Sequence, residues 1–234
     1  MPGDDDYWSV TLYHSPNDKH MRKVRDPKVF DRVVRSLPLH AHWADGDSDD
    51  EVISMASTAN TTRSYIVDGA PCATGLVPIG DAWGFTNPSV GRGITLGLKH
   101  AVGAVSAIAE HLDKPAEMAL AWDRATEEQA MPWHAATVDI DRVRGPEADA
   151  FRLGLADPHD PNDLGIAGAR AFASAVHYDA QLLAHYGEIM SCMTLAPDVI
   201  ARPGVLERVI EVASQNPTHE TPGPDRGKLE DLLA

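Results

Sequence analysis

The residues best suited to chemistry lie in one segment, Val77 to Ile94, which reads VPIGDAWGFTNPSVGRGI. A short apolar run from Leu76 to Ile79 precedes Gly80 and Asp81 and is typical of a buried strand. A carboxylate at a strand end can accept two hydroxyl hydrogen bonds, and its charge strengthens both. Gly80 lets the backbone turn and a ligand approach. We therefore expect Asp81 to bind hydroxyl groups of a ligand.

The second half of the segment predicts an anion site. Gly91 and Gly93 flank Arg92 directly before a long alanine- and glycine-rich helical pattern. Residues without side chains leave backbone N–H groups open at a helix N-terminus, where the helix dipole favours negative charge. Hydroxyl groups and phosphates occur together in nucleotide cofactors. Each half alone is an ordinary turn or helix cap, but the combination is specific.

The segment resembles a known cofactor motif in its glycines, acidic residue and proline: Gly80-Asp81-Ala82, Pro88, Gly91 and Gly93. It is similar to the second FAD-binding motif of flavin-dependent monooxygenases of the para-hydroxybenzoate hydroxylase type, which flavin halogenases and geranylgeranyl reductases share. The resemblance is specific over residues 63–112, suggestive over 7–62, and fades beyond about residue 115. It implies that Asp81 holds a ribitol hydroxyl of FAD and that the backbone of Ile94 and Thr95 faces the flavin ring.

The chain departs from this motif at two places. Arg92 stands where many relatives have glutamine, and His100-Ala101 stands where many have Asp-Ala. Arg92 is expected to pair with a phosphate, to pair with a carboxylate of the chain, or to be a solvated surface residue. The sequence leaves these three alternatives open.

The resemblance implies an FAD-dependent oxidoreductase, most simply a monooxygenase. In such enzymes NAD(P)H reduces FAD, oxygen forms a flavin C4a-hydroperoxide, and a small apolar or aromatic substrate is hydroxylated or epoxidised. The flavin carries that chemistry while the protein orients and polarises it, so no catalytic residue is assigned. Two alternatives stay open: a flavin-dependent reductase of isoprenoid double bonds, and a non-catalytic remnant or split-subunit interaction module.

The Gly-x-Gly-x-x-Gly fingerprint that holds the FAD pyrophosphate does not occur in these 234 residues, since Leu96 stands where Gly91-x-Gly93 would need its third glycine. Residues Tyr7 to Tyr13 look like a late strand of the family's substrate-domain sheet. We therefore expect the C-terminal half of a longer enzyme. The other half of the site would come from a separate N-terminal FAD-binding chain, and a homodimer is a further expectation. Whether the chain is an enzyme by itself stays open.

Composition narrows the remaining function classes. The formal net charge of −15 argues against a nucleic-acid partner, which needs basic surface. Cys72 and Cys192 form no Cys-x-x-Cys pair, so we expect reduced thiols and a cytoplasmic protein. The start of the chain has no signal-peptide pattern, and Lys99 and Glu110 interrupt the most apolar helical stretch. We expect that stretch to be a core helix and predict no membrane span.

The expected fold class is α+β, a partial α/β flavoprotein fold in three parts. Residues 1–75 form a partial substrate-domain sheet with one helix, 76–113 the strand–loop–helix of the FAD motif, and 114–234 a helical region. Strands are predicted near 51–56, 63–68 and 75–80, with Asp68-Gly69 as a hairpin turn. Asp26-Pro27 should begin the first helix and Pro38 should end it.

The region 114–234 is predicted to consist of helices and loops. One helix is predicted from Glu117 to Gln129, with a kink or a break at Pro132, and the pattern resumes to Arg144 before Gly145-Pro146 is expected to stop it. Further helical runs are predicted to about Leu195 and from Pro203, followed by a linker and a last short helix.

No metal site is expected. The acidic stretch from Asp45 to Glu51 does not match the ligand spacing of a calcium loop, and we interpret it as a solvated turn. His40, His42 and Trp43 are interpreted as loop or core residues. Three histidines are predicted on helices, where packing is favoured over lining a substrate pocket: His134, His177 and His185.

Overall fold

The computed structural model describes residues 7–48, 51–55, 59–216, 218–219 and 222–234. It is mostly helical with a few short antiparallel strands, which agrees with the coarse α+β class. The chain forms two compact units. Unit 1 comprises residues 1–56, 143–161 and 220–234, and unit 2 comprises residues 57–142 and 162–219.

The α-helices are α1 Pro27–Arg35, α2 Gly93–His111, α3 Pro115–Gln129, α4 Met131–Leu153, α5 Leu164–Ala175, α6 Ala180–Met190, α7 Ala196–Ile200, α8 Val205–Gln215 and α9 Arg226–Leu232. Four short 3-10 helices cover His20–Arg25, Ala41–Ala44, Gly80–Ala82 and Pro88–Val90. The strands of the described residues are β1 Thr61–Thr62, β2 Ile66–Val67, β3 Ala70–Pro71 and β4 Gly84–Phe85. β1 pairs with β4 and β2 with β3, both antiparallel.

Unit 1 is built on α1 and α9. Asp26 caps α1 by accepting hydrogen bonds from the N–H groups of Lys28 and Val29, and Pro27 occupies the first turn, as predicted. The helix ends at Arg35, three residues before Pro38. Its apolar face joins a small core with both ends of the described chain: Leu12, Met21, Val24, Val29, Phe30, Val33, Leu229, Leu232 and Leu233. The partly buried ion pair of Arg226 with Asp18 adds a polar link within this unit.

Unit 2 contains the candidate site and two groups of helices. α2 packs on α3 through the buried Ala104, Ala107 and Trp122. The second group, α5 to α8, encloses the largest apolar cluster of the described residues: Phe172, Ala175, Val176, Leu182, Ile189, Val199, Val205, Val209 and Val212. These residues recur at helical spacing, so one face of each helix is removed from water.

The hairpin predicted at Asp68-Gly69 is confirmed. β2 and β3 are joined by these two residues, with φ of 51° at Asp68 and 76° at Gly69. Positive φ at both central positions matches the right-handed twist of a two-residue hairpin, and aspartate and glycine tolerate it best.

The predicted strands are otherwise mostly wrong. Within 63–68 only Ile66–Val67 is a strand, and residues 51–55 have no regular structure, with residue 56 outside the described range. Residues 75–79 form no strand, and Gly80 begins a 3-10 helix instead. The segment from Tyr7 to Tyr13 shows only an isolated bridge at Trp8. A strand exists through a paired neighbour, and among the described residues of these segments only Ile66–Val67 belongs to a strand pair, with β3 as its partner.

Two helix predictions also need correction. Gly145-Pro146 does not end a helix, because α4 continues through Pro146 to Leu153. Contacts beyond the proline hold this part in place, since the Asp149 carboxylate accepts hydrogen bonds from Ser15 at 2.8 Å and Asn17 at 2.7 Å. The helical run to Leu195 is divided, and His177 lies in the turn between α5 and α6. The break at Pro132 is confirmed, with α3 ending at Gln129 and α4 beginning at Met131.

Candidate functional site

The site begins at the turn of Gly80. Its φ is 54°, in the left-handed region that glycine adopts readily. Its N–H donates to Nδ1 of His100 over 3.2 Å, and an added Cβ would lie 3.9 Å from the Cα of Gly97 in α2. The turn therefore lies directly against the first turns of α2, with Gly80 and Gly97 at ordinary van der Waals distance.

Asp81 follows this turn with an exposed side chain. Its backbone oxygen accepts a hydrogen bond from the guanidinium of Arg63 at 3.0 Å, which fixes the main chain. Within the described residues its carboxylate takes part in no hydrogen bond or ion pair. Both oxygens are therefore available to a ligand, and the binding of hydroxyl groups by Asp81 stays a prediction.

A loop leads from this turn to the N-terminus of α2. Asn87 accepts a hydrogen bond from the Ser89 N–H at 3.1 Å and starts the 3-10 helix Pro88–Val90. Gly91 then turns the chain at φ 66°, and α2 begins at Gly93. No side chain caps α2, and a Cβ at Gly91 or Gly93 would meet nothing within 4 Å. Thus no side chain of the described residues caps the first N–H groups of α2, and neither Gly91 nor Gly93 places a side chain beside them.

An amide–carboxylate network anchors this loop, and sequence reasoning missed it. The Asn60 side chain donates to Asp141 at 2.7 Å and accepts from the Asn87 N–H at 2.7 Å. The Asn87 amide also donates to both Asp141 oxygens at 3.2 Å. The three residues are 27 and 54 positions apart in sequence, so no local pattern connects them.

Arg92 is 3% exposed, which contradicts the alternative of a solvated surface arginine. Its guanidinium lies 5.5 Å from the ring centroid of Trp133, and Nη1 donates to Thr137 over 3.4 Å. Its Nε has no hydrogen-bond partner among the described residues. Pairing of Arg92 with a phosphate or a carboxylate remains a prediction.

His100 stands behind the Gly80 turn and is also 3% exposed. Because Nδ1 accepts from Gly80, Nε2 carries the proton and donates to the Thr126 hydroxyl at 2.9 Å. The ring stacks on Trp122 at 4.3 Å and meets Trp83 edge-on at 5.1 Å. Burial lowers the pKa of His100 from 6.5 to about 4, so the imidazole is neutral at pH 7.

A small cavity lies between the two halves of the motif. Asp81, Gly93 and His134 are among its lining residues, with Trp83 and Leu96 as apolar walls. Its free volume of about 20 Å³ admits one water-sized group. His134 is 7% exposed, and its Nε2 has no partner within the described residues. A buried polar atom beside a cavity is a place where a ligand or an ordered water can bond.

The structure thus brings some of the predicted site residues together at the cavity and leaves others outside it. Gly80, Asp81 and Gly93 line one cavity, while Pro88 and Gly91 shape the loop between them. Ile94 and Thr95 follow in the first turn of α2, where the Ile94 side chain is 82% exposed and Thr95 is half-buried. Sequence reasoning assigned no role here to His100 and placed His134 only on a helix. The available signal for His100 was its departure from the Asp-Ala of the motif that the segment resembles.

The other candidate residues lie apart from this cavity. His185 lies on α6, as predicted, and its imidazole contacts the Glu188 carboxylate at 3.1 Å. His177 stacks on His219 at 3.7 Å. Cys72 is exposed and Cys192 is buried, and both are free thiols. Burial raises the pKa of the Cys192 thiol. No group of three potential metal ligands occurs among the described residues.

In the part of the chain that the structure describes, no helix combines the length and apolar character needed to cross a membrane. Comparison with protein-family models, with curated proteins and with solved structures found no match to this chain. The resemblance to flavin-dependent monooxygenases therefore depends on the motif residues alone and stays a prediction.

Proposed function

We propose that this chain supplies the ribitol-facing part of an FAD site in a flavin-dependent oxidoreductase, most simply a monooxygenase acting on a small apolar or aromatic substrate. One observation carries the proposal. The free carboxylate of Asp81 and the uncapped N-terminus of α2 at Gly93 line the same cavity, although they are twelve residues apart. They offer a hydroxyl acceptor and an electropositive helix end side by side.

The dimensions of the cavity agree with a single hydroxyl group. Its free volume is that of one water molecule, and a hydroxyl needs no more. The Asp81 carboxylate is able to accept a hydrogen bond from that hydroxyl, and Nε2 of His134 on α4, which has no partner among the described residues, offers a second polar contact. Larger parts of a cofactor would lie outside the cavity, where no Cβ obstructs Gly91 or Gly93.

Bound FAD would supply the redox chemistry, with NAD(P)H as the reductant. The protein's own residues would bind and orient the cofactor. The helix N-terminus at Gly93 would stabilise negative charge on the ring edge that faces it. Neutral His100, hydrogen-bonded to the Gly80 N–H, would hold the Asp81 turn against α2 without adding positive charge behind it. The remaining FAD contacts, including those to the pyrophosphate, would come from a separate FAD-binding polypeptide.

Flavin titration tests this proposal. The chain is mixed with FAD and, in parallel, with riboflavin, which carries the ribitol but no phosphate, and binding is followed by quenching of flavin fluorescence. Asp81→Ala removes a charged hydrogen bond and should weaken binding by about 1.5–3 kcal/mol, roughly tenfold or more. Asp113→Ala, at an exposed position after α2, is the matched control and should bind like the wild type.

The outcomes separate the alternatives. Equal affinity of the wild type and Asp81→Ala would remove Asp81 from the site. A folded protein that binds neither flavin, alone or with a flavin-binding partner chain, would favour the non-catalytic interaction module. If flavin binds, turnover of NAD(P)H with oxygen distinguishes a monooxygenase from a flavin-dependent reductase of isoprenoid double bonds.

A further inference from the structure

Helix α2 is apolar on two opposite faces, but only one of them is buried. Leu96, His100, Ala104 and Ala107 face the interior of unit 2. The opposite face consists of exposed or half-exposed apolar residues at helical spacing: Ile94, Leu98, Ala101, Val102, Val105, Ile108, Ala109 and Leu112. We call this face the α2 stripe. The prediction that α2 is a core helix is therefore correct for one face only.

The α2 stripe is large for an exposed apolar surface. Ile94 is 82% exposed, Val102 and Leu112 are each 70% exposed, and no charged residue interrupts the stripe. Together its side chains expose on the order of 700 Å² to solvent, close to the roughly 800 Å² that each partner buries in a standard stable interface. Contiguous apolar patches of this size mark interaction sites on proteins.

The spacing of the stripe indicates how a partner would pack. Its central residues are separated alternately by four and three positions, the heptad pattern of a coiled coil: Ile94, Leu98, Ala101, Val105, Ile108 and Leu112. The order of the intervals, four, three, four, three, four, reads the same in both directions. A helix with this pattern matches an antiparallel copy of itself layer by layer.

The antiparallel match pairs similar volumes. When two copies cross at the middle of the stripe, Ile94 faces Leu112 of the other copy, and Leu98 faces Ile108. At the centre Ala101 faces Val105, and this small layer lets the helices approach. Such self-complementarity is what a two-fold isologous interface requires.

We propose that the α2 stripe is a homodimer interface in which two copies of this chain pack their α2 helices antiparallel. The occupant is a second copy, since the reversible spacing and the uncharged surface fit the stripe itself. The inference goes beyond flavin binding, because the stripe lies on the face opposite His100 and the Gly80 turn.

Sedimentation equilibrium of variants with oppositely charged substitutions tests both dimer formation and the antiparallel register of the two α2 helices. The wild-type chain should dimerise. Leu98→Glu and Ile108→Lys should each weaken dimerisation at least about tenfold, because a charge is placed against an apolar residue. The double variant Leu98→Glu/Ile108→Lys should regain dimerisation, since each glutamate then faces a lysine of the other copy.

A matched control separates the stripe from the rest of the helix. Ser106→Glu introduces the same charge at an exposed position of α2 outside the stripe and should dimerise like the wild type. Leu98 is 65% exposed, Ile108 is 37% exposed and Ser106 is exposed, so circular dichroism should show unchanged helix content in each variant.

Two results would overturn the proposal. The first is a wild-type chain that stays monomeric up to about 1 mM, a concentration at which even a weak dimer is half associated. The second is a double variant that remains as monomeric as the single variants, which would exclude the antiparallel register. Neither result depends on whether the protein binds flavin.

Discussion

The free energy of unfolding should decrease between pH 7 and pH 5 because His100 is buried as a neutral imidazole. The imidazole is buried between Trp83 and Trp122 and is neutral in the folded protein, where its pKa is about 4. In the unfolded chain the same group titrates near its ordinary pKa of 6.5. Between these values the unfolded chain binds the additional proton, so the free energy of unfolding decreases as the pH falls.

The size of the effect follows from the two pKa values. Linkage gives full stability above pH 6.5 and a progressive loss as the pH falls towards 4. For one histidine with this difference, the loss between pH 7 and pH 5 is about 1–2 kcal/mol. That loss is a substantial part of the stability of an ordinary domain.

Urea unfolding followed by tryptophan fluorescence measures this loss, and stacked Trp122 reports directly on the site. His100→Gln removes the titrating group, so its free energy of unfolding should decrease less than that of the wild type between pH 7 and pH 5. His20→Gln, which replaces an exposed histidine, should retain the wild-type pH dependence. If wild type and His100→Gln lose equal stability over this range, the reasoning from the burial of His100 is wrong.

Two further predictions concern the rest of unit 2. Leu182→Ala truncates a side chain that is 1% exposed in the α5–α8 core and should lower the free energy of unfolding by about 2–5 kcal/mol. Leu183→Ala, at the exposed neighbouring position, should change it by less than about 0.5 kcal/mol. Equal urea midpoints of the two variants would contradict the assignment of this core. Hydrogen bonds from Arg202 and His185 lower the pKa of Glu188 to about 2, so the stabilisation from this pair should be present above pH 4.5 and lost as the pH falls towards 2. Glu188→Gln should lower the urea midpoint at pH 7 and reduce its decline in acid, and an unchanged acid profile would show that the pair contributes nothing.

The parts of the fold that could be predicted are those governed by neighbouring residues. Asp26-Pro27 begins α1 because the cap and the first turn need only an acceptor side chain and a fixed φ. Asp68-Gly69 forms the hairpin turn because both residues tolerate positive φ. Two or three consecutive residues are enough to determine a helix start or a hairpin turn of this kind.

The strands could not be predicted in the same way. The apolar run from Leu76 to Ile79 has the composition of a buried strand, yet it forms no strand pair with any other described residue and leads instead into the 3-10 helix at Gly80. Composition reports that a segment is apolar, whereas a strand also needs a neighbour at hydrogen-bonding distance. The Trp122 indole donates to the carbonyl of Pro78 at 3.2 Å, so a side chain of α3 supplies a hydrogen bond that a neighbouring strand would otherwise make. Such a contact over 44 positions has no local signal.

Arg92 shows why the motif alone could not determine the site. Gly91 turns the chain at φ 66°, and α2 begins two residues later, so the intervening side chain is directed towards α4, where Trp133 and Thr137 lie. A buried guanidinium with one weak hydrogen bond is costly, because desolvation of a cation must be offset by close partners. The Trp133 ring offsets part of that cost through its π face, while Nε stays unpartnered in the described residues. An anion near this guanidinium would recover the remainder, and this is the physical basis of the prediction that Arg92 pairs with a phosphate or a carboxylate.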